Sequence, residues 1–442
     1  MSALNLIKSY FALKLHDRYS RDMILKLQEK KFRKLLKYAY KNSKFYHELY
    51  SSKGINEDNI DTVDIEKIPI VDKDIIMKNF NDVVTVDDID VKDLEVFIEE
   101  SKDPNELYNG KYHVVHTSGT SGKLGIFVYN EKDWDSFAPY MIKAYDFKFK
   151  KFKTTFLGNV RGHSTGISFM SGAKKGITHF FCEPLILDIN KPIKDTVKQL
   201  NEFQPDNLGG YFNGLKILAE QQEKGALKIK PKMIVNCSEG LNVKDKKYIE
   251  KVFKVPVANH YGFAECPVVG IGKDEYGGIF LMDDIALLEV KEDHILLTTL
   301  FNKTQPLIRY KIDDYIKIKE NPNKKIPFTL IEDIIGRAEF VIWFENKDGE
   351  MDFIHPLYFA DFHVQGLDKI QVVINDKKSF DLLVIIPGKN KKEVKKEIKR
   401  KIDELLVGKN FTNVKYEIKE VEKLESDKLS GKYRLIVKKG KK

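Results

Sequence analysis

Residues 117–123 read Thr117-Ser118-Gly119-Thr120-Ser121-Gly122-Lys123. This stretch lies between two apolar runs, 114–116 and 126–128, each of which is typical of a short buried strand. Glycines let the backbone fold its N–H groups around an anion, and the hydroxyls and the lysine add donors and positive charge. The stretch therefore predicts a phosphate-binding loop, although it is not a Walker A motif, because only two residues separate its glycines. A flexible Ser/Gly linker is the alternative, but such a linker rarely separates two buried strands.

Five segments further along the chain are rich in carboxylate, hydroxyl or basic side chains, and four of them contain a glycine. They are Asn236-Cys237-Ser238-Glu239-Gly240, Tyr261-Gly262-Phe263-Ala264-Glu265, Arg309-Tyr310-Lys311-Ile312-Asp313-Asp314, Gly336-Arg337-Ala338-Glu339 and Leu429-Ser430-Gly431-Lys432-Tyr433-Arg434. In this order, and together with the loop, they resemble the motifs of the adenylate-forming superfamily of acyl-CoA synthetases. Segments 35–46 and 68–73 resemble the opening of its short branch, which contains phenylacetate-CoA ligases, capsular-polysaccharide biosynthesis homologues and deazaflavin coenzyme adenylyltransferases.

The resemblance implies an ATP site built from all of these segments. The loop would bind the phosphates, the Ser-Glu-Gly turn would flank the adenine, and the Tyr-Gly pair would lie against the nucleotide. Asp314 would accept hydrogen bonds from both ribose hydroxyls, and Arg337 would lie near the ribose. The candidate nucleotide contacts are thus Thr117, Ser118, Gly119, Thr120, Ser121, Gly122, Lys123, Ser238, Glu239, Gly240, Tyr261, Gly262, Asp314 and Arg337.

Two carboxylates suit their implied roles on chemical grounds. Mg²⁺ prefers hard oxygen ligands and commonly takes one or two carboxylates together with phosphate oxygens, so Glu265 beside a phosphate loop is a sufficient ligand. A carboxylate that accepts two vicinal hydroxyls fixes the orientation of a sugar through charge-assisted hydrogen bonds. Asp313 is a rival to Asp314 for that role, because spacing alone separates them only modestly.

The remaining candidates concern catalysis. Attack of a carboxylate on a phosphate brings two anions together, so a mobile cation at that junction would stabilise the transition state. The resemblance puts Lys432 there and puts Glu339 at the hinge of a mobile lid. His163, in a segment similar to one that lines the acyl and thiol side of these sites, is a third candidate, and a purely structural histidine is an equally good interpretation.

Four positions depart from the superfamily pattern. Leu124 replaces a proline, Ala264 a threonine, Lys311 an arginine and Ile312 a threonine. These departures keep open a nucleotide-binding assembly or regulatory protein descended from such an enzyme. The retained residues Lys123, Glu265, Asp314 and Lys432 argue against that interpretation.

The pattern of apolar residues predicts an α/β fold in two units, since 442 residues exceed what one core usually serves. A large multi-layer adenylate-forming domain, residues 1–335, would contain a strand-rich subdomain over about 270–335. A small α+β lid would follow over 336–442. Apolar residues at spacings of three and four predict one amphipathic helix over about 21–50.

Composition excludes several classes of protein. The formal net charge of +9 comes from lysines spread along the chain without interleaved aromatics or a base-reading motif, so we expect no nucleic-acid partner. No stretch approaches the ~18 apolar residues that span a bilayer, and residues 1–22 do not resemble a signal peptide. The three scattered cysteines, Cys182, Cys237 and Cys266, argue against disulfides and a zinc cluster and favour a cytoplasmic location.

The expected reaction is the ATP- and magnesium-dependent activation of a carboxylic acid, aryl or small acyl, to an acyl-adenylate. Thioester formation with coenzyme A as co-substrate would follow. The alternative is an adenylyltransferase that attaches AMP to a hydroxyl of a coenzyme such as a deazaflavin and needs no thioester step. The oligomeric state, monomer or homodimer, does not follow from the sequence.

Overall fold

A computed structural model shows a mixed α/β architecture. It describes residues 3–101, 103–117, 124–144, 151–160, 162–172, 182–237, 240, 243–273, 276–291, 294–314, 316–332, 342–354, 358–359, 362, 364–424 and 435–438. Within these ranges, no helix combines the length and the apolar character needed to cross a bilayer.

Three helices open the chain: α1 (Ala3–His16), α2 (Arg21–Asn42) and α3 (Lys44–Ser51). The single helix predicted over about 21–50 is wrong at Ser43, whose extended backbone (φ −112°, ψ 120°) separates α2 from α3. The Ser43 N–H bonds the Ala39 carbonyl and closes α2, while the Ser43 hydroxyl accepts a hydrogen bond from the Tyr46 N–H at 3.3 Å and caps α3. A serine cap can therefore interrupt an apolar period that continues through it.

A group of short helices leads to a hairpin. The elements are a 3₁₀ turn (Ile65–Lys67), α4 (Lys73–Lys78), α5 (Phe80–Val83), α6 (Val91–Glu100), β1 (Tyr112–Thr117) and β2 (Gly125–Asn130). Strands β1 and β2 are antiparallel, with Thr117 opposite Gly125. The two strands predicted on either side of the phosphate loop are confirmed, and loop residues 118–123 lie outside the described part of the chain.

A large sheet forms the centre of the molecule. The chain from residue 131 to residue 331 forms this sheet, the helices around it and a neighbouring sheet. In chain order these elements are α7 (Glu131–Asp135), α8 (Ala138–Ala144), β3 (Phe152–Gly158), α9 (Thr165–Gly172), β4 (Cys182–Asp188), α10 (Ile193–Phe203), β5 (Asn207–Gly210), α11 (Phe212–Glu223), β6 (Met233–Cys237), α12 (Val243–Phe253), β7 (Val257–Tyr261), β8 (Gly270–Lys273), β9 (Gly278–Leu281), β10 (Ala286–Val290), β11 (Ile295–Thr299), β12 (Tyr310–Ile312), β13 (Ile318–Lys319) and β14 (Leu330–Ile331). Among the described residues, nine strands form it in the order β13-β14-β9-β8-β7-β6-β5-β3-β4.

The direction of the strands divides this sheet in two. Strands β4, β3, β5, β6 and β7 are parallel, and the strands beyond β7 continue antiparallel. The carboxyl ends of the parallel strands share one edge, which is where open α/β sheets bind ligands. The predicted strand-rich region, 270–335, contributes β8, β9, β13 and β14 to this sheet, while β10, β11 and β12 form a separate antiparallel sheet.

The C-terminal residues form a smaller α+β arrangement: β15 (Ile342–Glu345), β16 (Met351–Ile354), β17 (Lys369–Asp376), β18 (Ser379–Ile385), α13 (Lys391–Gly408), β19 (Lys415–Glu420) and β20 (Ile436–Lys438). A four-stranded sheet has the order β19-β18-β17-β20, and α13 buries Val394, Ile398, Ile402 and Leu405 in an apolar core of its own. The strands and the helix predicted over about 371–420 are confirmed. The predicted boundary between 335 and 336 lies outside the described residues.

A buried ion pair joins this C-terminal part to the end of β4. The Lys409 ammonium lies 3.1 Å from Asp352 Oδ1 and donates to the Lys191 carbonyl at 2.7 Å. The other Asp352 oxygen accepts a hydrogen bond from the Ile193 N–H at 3.0 Å. Because Lys409 is 0% and Asp352 3% exposed, neither charge has water to replace its partner.

Candidate active site

The two ends of the predicted phosphate loop approach a lysine side chain. The Gly125 N–H donates to Thr117 Oγ1 at 3.2 Å. A Cβ atom on Gly125 would lie 2.6 Å from that oxygen and 3.1 Å from Cδ of Lys73. Glycine at position 125 therefore leaves the space through which Lys73 reaches the mouth of the loop.

Backbone pairing fixes the position of Lys73. The Val71 N–H donates to the Arg309 carbonyl at 3.2 Å, and the Lys311 N–H donates to the Val71 carbonyl at 2.8 Å. The next residue, Asp72, caps α4 by accepting a hydrogen bond from the first turn at 2.8 Å. Lys73 is thus the first residue of a capped helix, and Val71, two residues before it, is bridged to Tyr310 of β12.

The arginine of the 309–314 segment is a structural residue. Arg309 is 4% exposed, and its guanidinium donates to both carboxylate oxygens of Glu289 at 2.8 Å. A further hydrogen bond, of 2.5 Å, links Arg309 to the Ile68 carbonyl. Such a two-point contact holds a planar group in one orientation. It therefore fixes the start of β12 and, with it, the residues that follow.

A buried carboxylate lies in the turn that follows β7. Glu265 is 6% exposed and accepts a hydrogen bond from the Tyr310 hydroxyl. Burial raises the pKa of the Glu265 carboxyl above its usual range, while the Tyr310 hydrogen bond and the positive charge of Lys73 act in the opposite direction. Burial and the neighbouring Glu265 in turn raise the pKa of Tyr310. A cation bound beside Glu265 would stabilise the charged form of this carboxylate.

A second carboxylate lies beside the first. The Tyr261 hydroxyl donates to Asp314 Oδ2 at 3.0 Å, and the negative charge of Asp314 further raises the pKa of Glu265. Asp313, its rival in the sequence, is directed away: its side chain is 80% exposed and pairs with Lys311 at 3.4 Å. The structure therefore favours Asp314 over Asp313 as the member of the site.

A tight turn presents Glu265. A Cβ atom on Gly262 would lie 2.2 Å from the Pro267 carbonyl oxygen, so only glycine fits there without backbone movement. The Phe263 N–H donates to the Cys266 carbonyl at 2.8 Å, and the Tyr129 hydroxyl donates to the Ala264 carbonyl at 2.5 Å. These two hydrogen bonds fix the backbone of the turn and therefore the position of Glu265.

Together these contacts place one cation, two carboxylates and two phenol hydroxyls beside the paired ends of a Gly-rich loop. Carboxylates here can hold a divalent cation or a sugar hydroxyl, and the ammonium group can neutralise a phosphate. No set of three or more His, Cys, Asp or Glu side chains within the described ranges is arranged to bind a metal by itself. A metal at Glu265 would thus take its other ligands from a bound anion and water.

Comparison with known proteins supports the fold. No protein-family model matches the chain. Protein CapK of Staphylococcus aureus is 26% identical over 340 residues, which are 71% of this chain and 68% of CapK. The structure of 2-hydroxyisobutyryl-CoA ligase in the postadenylation state, in complex with R3-HIB-AMP, aligns with a TM-score of 0.57 at 17% identity, over 93% of this chain and 89% of the ligase. An open conformation of that ligase, in complex with 2-HIB-AMP and CoA, aligns with a TM-score of 0.56 at 16% identity. The alignment covers 93% of this chain and 90% of the ligase.

The chain has the fold of 2-hydroxyisobutyryl-CoA ligase. The α/β fold that the motifs led us to expect is thereby confirmed. Among the predicted site residues that the structure describes, Tyr261 bonds Asp314, and the charge of Asp314 acts on Glu265. Gly262 lies in the turn before Glu265, and Thr117 bonds Gly125 at the end of the loop.

Several predicted site residues lie outside the part of the chain that the structure describes. Those outside the described residues are Ser118, Gly119, Thr120, Ser121, Gly122, Lys123, Ser238, Glu239, Arg337, Glu339 and Lys432. Gly240 is described and is partly buried after the end of β6. The roles of all these residues stay predictions.

His163 has the surroundings of a structural histidine. It is 1% exposed, its Nε2 atom lies 2.8 Å from the Ser101 hydroxyl, and its ring lies 5.0 Å from that of Phe97. Burial, followed by the nearby His116, lowers the pKa of His163 to about 4, so the ring is neutral near pH 7. These contacts favour the structural interpretation, and a role in catalysis stays a prediction.

Two residues of this site were not among the candidates. Tyr310 lies in the 309–314 segment, but only its hydrogen bond to Glu265 indicates that it belongs to the site. Lys73 lies in the 68–73 segment that resembles the short branch, yet nothing in its spacing distinguishes it among the many lysines of the chain. Its position depends on the pairing of Val71 with β12, which is a contact between distant parts of the sequence.

Proposed function

We propose that this protein uses ATP and magnesium to convert a carboxylic acid into an acyl-adenylate and then transfers the acyl group to the thiol of coenzyme A. The observation that supports this most strongly is the convergence of Lys73, Glu265 and Asp314 at the mouth of the loop between β1 and β2. The reaction needs these three groups because it combines a polyanion, a divalent cation and a ribose. The fold is the one in which 2-hydroxyisobutyryl-CoA ligase binds an acyl-AMP and CoA.

Each described residue has a chemical task in this proposal. Glu265 holds magnesium together with phosphate oxygens, which fits an ion that commonly takes only one or two protein carboxylates. Magnesium would supply neutralisation of the triphosphate. Lys73, whose side chain lies beside Gly125, neutralises charge on the same phosphates. Asp314, oriented by Tyr261, accepts the ribose hydroxyls.

The cation at the reacting junction is Lys432 in this proposal. Residues 336–442 act as a lid that turns about Glu339, bringing Lys432 to the acyl carboxylate and the α-phosphate and later withdrawing it. Closing such a lid would exclude water from a mixed anhydride that hydrolyses readily. The separate apolar core of the C-terminal sheet and α13 supports a unit that can move as one body.

Pyrophosphate exchange into ATP, measured across aromatic and aliphatic acids, tests the first step. We expect acid-dependent exchange that requires magnesium and falls at least a hundredfold in Glu265→Gln, because the amide cannot replace a charged ligand. Glu320→Gln is the matched control, since the Glu320 side chain is 90% exposed. Exchange that no acid stimulates, or that Glu265→Gln retains, would contradict the proposal.

The fate of the AMP moiety tests the second step. An acid:thiol ligase releases free AMP when coenzyme A is added, and the acyl group appears as a thioester. A hydroxyl-directed adenylyltransferase would instead retain AMP in its product and would not respond to coenzyme A. Mass spectrometry of the products distinguishes these outcomes.

A further inference from the structure

The outer face of α1 exposes large apolar side chains. Phe11 is 54% and Leu15 53% exposed, and as residues four apart on a helix they lie on one face. The opposite face carries Leu13, which is 3% exposed and belongs to the main apolar core. Helix α1 therefore packs on the rest of the protein through its inner face, and Phe11 and Leu15 on its outer face stay exposed to solvent.

Two further exposed apolar residues follow shortly after α1 in the sequence. Met23, 47% exposed, and Leu25, 42% exposed, follow in the first turns of α2. Four of the large apolar side chains most exposed among the described residues therefore fall within residues 11–25. Single exposed apolar residues need no explanation, but a concentration of them indicates an interaction surface.

The same part of the chain carries an excess of positive charge. Residues 1–34 contain nine Lys or Arg and three Asp or Glu, a net charge of +6 out of +9 for the whole chain. Lys8, Lys14 and Arg18 are exposed, and each lies within about one turn of Phe11 or Leu15. None of the three forms an ion pair with a described residue, whereas Arg21 pairs with Asp283.

We propose that α1 and the start of α2 dock this protein on an anionic membrane surface. Phe and Leu side chains would enter the boundary between headgroups and acyl chains, while the surrounding basic side chains contact the negatively charged headgroups. A second copy of the chain fits this surface less well, because a two-fold interface brings the same patch onto itself and would oppose like charges. The inference does not depend on the proposed reaction.

Co-sedimentation of the full chain with phospholipid vesicles tests it. We expect binding to vesicles of phosphatidylcholine and phosphatidylglycerol in a 7:3 ratio and little binding to phosphatidylcholine alone. Phe11→Ser/Leu15→Ser should reduce the bound fraction at least tenfold, and Lys8→Gln/Lys14→Gln should reduce it several-fold. Raising the salt concentration should weaken binding, because the headgroup contacts are screened.

The matched control is Ile318→Ser/Val407→Ser, which removes two apolar side chains that are 57% and 67% exposed elsewhere on the molecule. It should bind as the unaltered chain does, and circular dichroism with thermal unfolding should show that every variant is folded. Absence of binding to anionic vesicles would overturn the proposal. So would binding that the control variant loses equally. Sedimentation equilibrium showing a dimer that Phe11→Ser/Leu15→Ser dissociates, without vesicle binding, would assign the surface to a second copy instead.

Discussion

At the scale of single residues, Lys73 and Glu265 define the electrostatics of the site. Glu265 is buried, so its charge is costly without a positive partner, and Lys73 supplies only part of that compensation because the pKa of Glu265 is still raised. A bound magnesium ion would complete it. The site therefore gains stability from the same ligand that the proposed reaction requires, and thermal stability should increase when magnesium and nucleotide bind together.

Replacing Lys73 tests its contact with the phosphates. Lys73→Met keeps the length of the side chain but removes its charge, so we expect pyrophosphate exchange to fall by about two orders of magnitude. Lys73→Arg should retain more activity, since it keeps the charge. Lys78→Met, at the other end of α4, is the control. Exchange kinetics at saturating and limiting ATP provide the measurement, and wild-type rates in Lys73→Met would exclude this lysine from the site.

His163 predicts how stability depends on pH. Its pKa is about 4 in the folded protein, against an ordinary value near 6.5, so below pH 6.5 the unfolded chain binds a proton that the folded chain does not. The free energy of unfolding should thus be highest above pH 6.5, fall as the pH drops towards 4, and lose at most about 3 kcal/mol through this residue. Urea unfolding of the wild type and of His163→Asn at pH 7 and pH 4.5 measures this; equal losses in both would contradict it.

At the scale of elements, the turn after β7 shows how backbone packing positions chemistry. Gly262 lies against the Pro267 carbonyl, and this close approach is what directs Glu265 towards β12. Sequence alone indicates a turn at a Tyr-Gly pair, but it does not show which backbone group the glycine must accommodate. That information depends on the return of the chain five residues later, at Pro267.

Gly262→Ala should therefore damage both stability and activity. The added Cβ would meet a backbone oxygen at 2.2 Å, so the turn must shift, and we expect a loss of about 2–4 kcal/mol in the free energy of unfolding. Gly388→Ala is the matched control, because a Cβ there meets no atom within 4 Å. Denaturant titration of the two variants gives the comparison. A fully stable Gly262→Ala would show that the turn has room to adapt.

The elements predicted from sequence are those with a clear local period. The strand predicted at 154–157, for example, is the centre of β3, and the helix predicted over about 391–406 is α13, because apolar residues there follow the period of the element. The break at Ser43 was missed because the apolar period of α2 continues through it into α3. A side-chain cap competes with the helix at that point, and the choice depends on a hydrogen bond from the Ser43 hydroxyl to the distant Asp82 carbonyl.

At the scale of the whole molecule, the C-terminal part contacts the large sheet through buried charge. Asp352 accepts from Lys409, from the Ile193 N–H and from the Phe353 N–H, so its carboxylate is well satisfied in this arrangement. Burial lowers the pKa of Lys409, and Asp352 opposes that effect. Movement of the proposed lid would have to break this contact or turn about it.

A double-mutant cycle measures this contact. Lys409→Met leaves the Asp352 charge buried without its ionic partner, so we expect a loss of about 3–5 kcal/mol in the free energy of unfolding. Asp352→Asn should also destabilise. In the double variant, the losses should be clearly smaller than the sum of the two single losses, because no charge is left uncompensated. Additive losses in urea titrations would show that the two side chains do not interact.

Only the site residues that lie in the motifs could be predicted from sequence. Tyr261, Glu265 and Asp314 stand in segments whose residue types suit nucleotide chemistry, and the fold brings them together. Lys73 could not be singled out, because its place depends on pairing between β12 and a segment more than two hundred residues earlier. Long-range pairing of this kind leaves no period or spacing in a single sequence.

The most direct test is a crystal structure of the protein with magnesium and a non-hydrolysable ATP analogue. We expect the phosphates between the β1–β2 loop and Lys73, magnesium on Glu265, and the ribose hydroxyls on Asp314. Nucleotide bound away from these three side chains, or a metal held without Glu265, would contradict it.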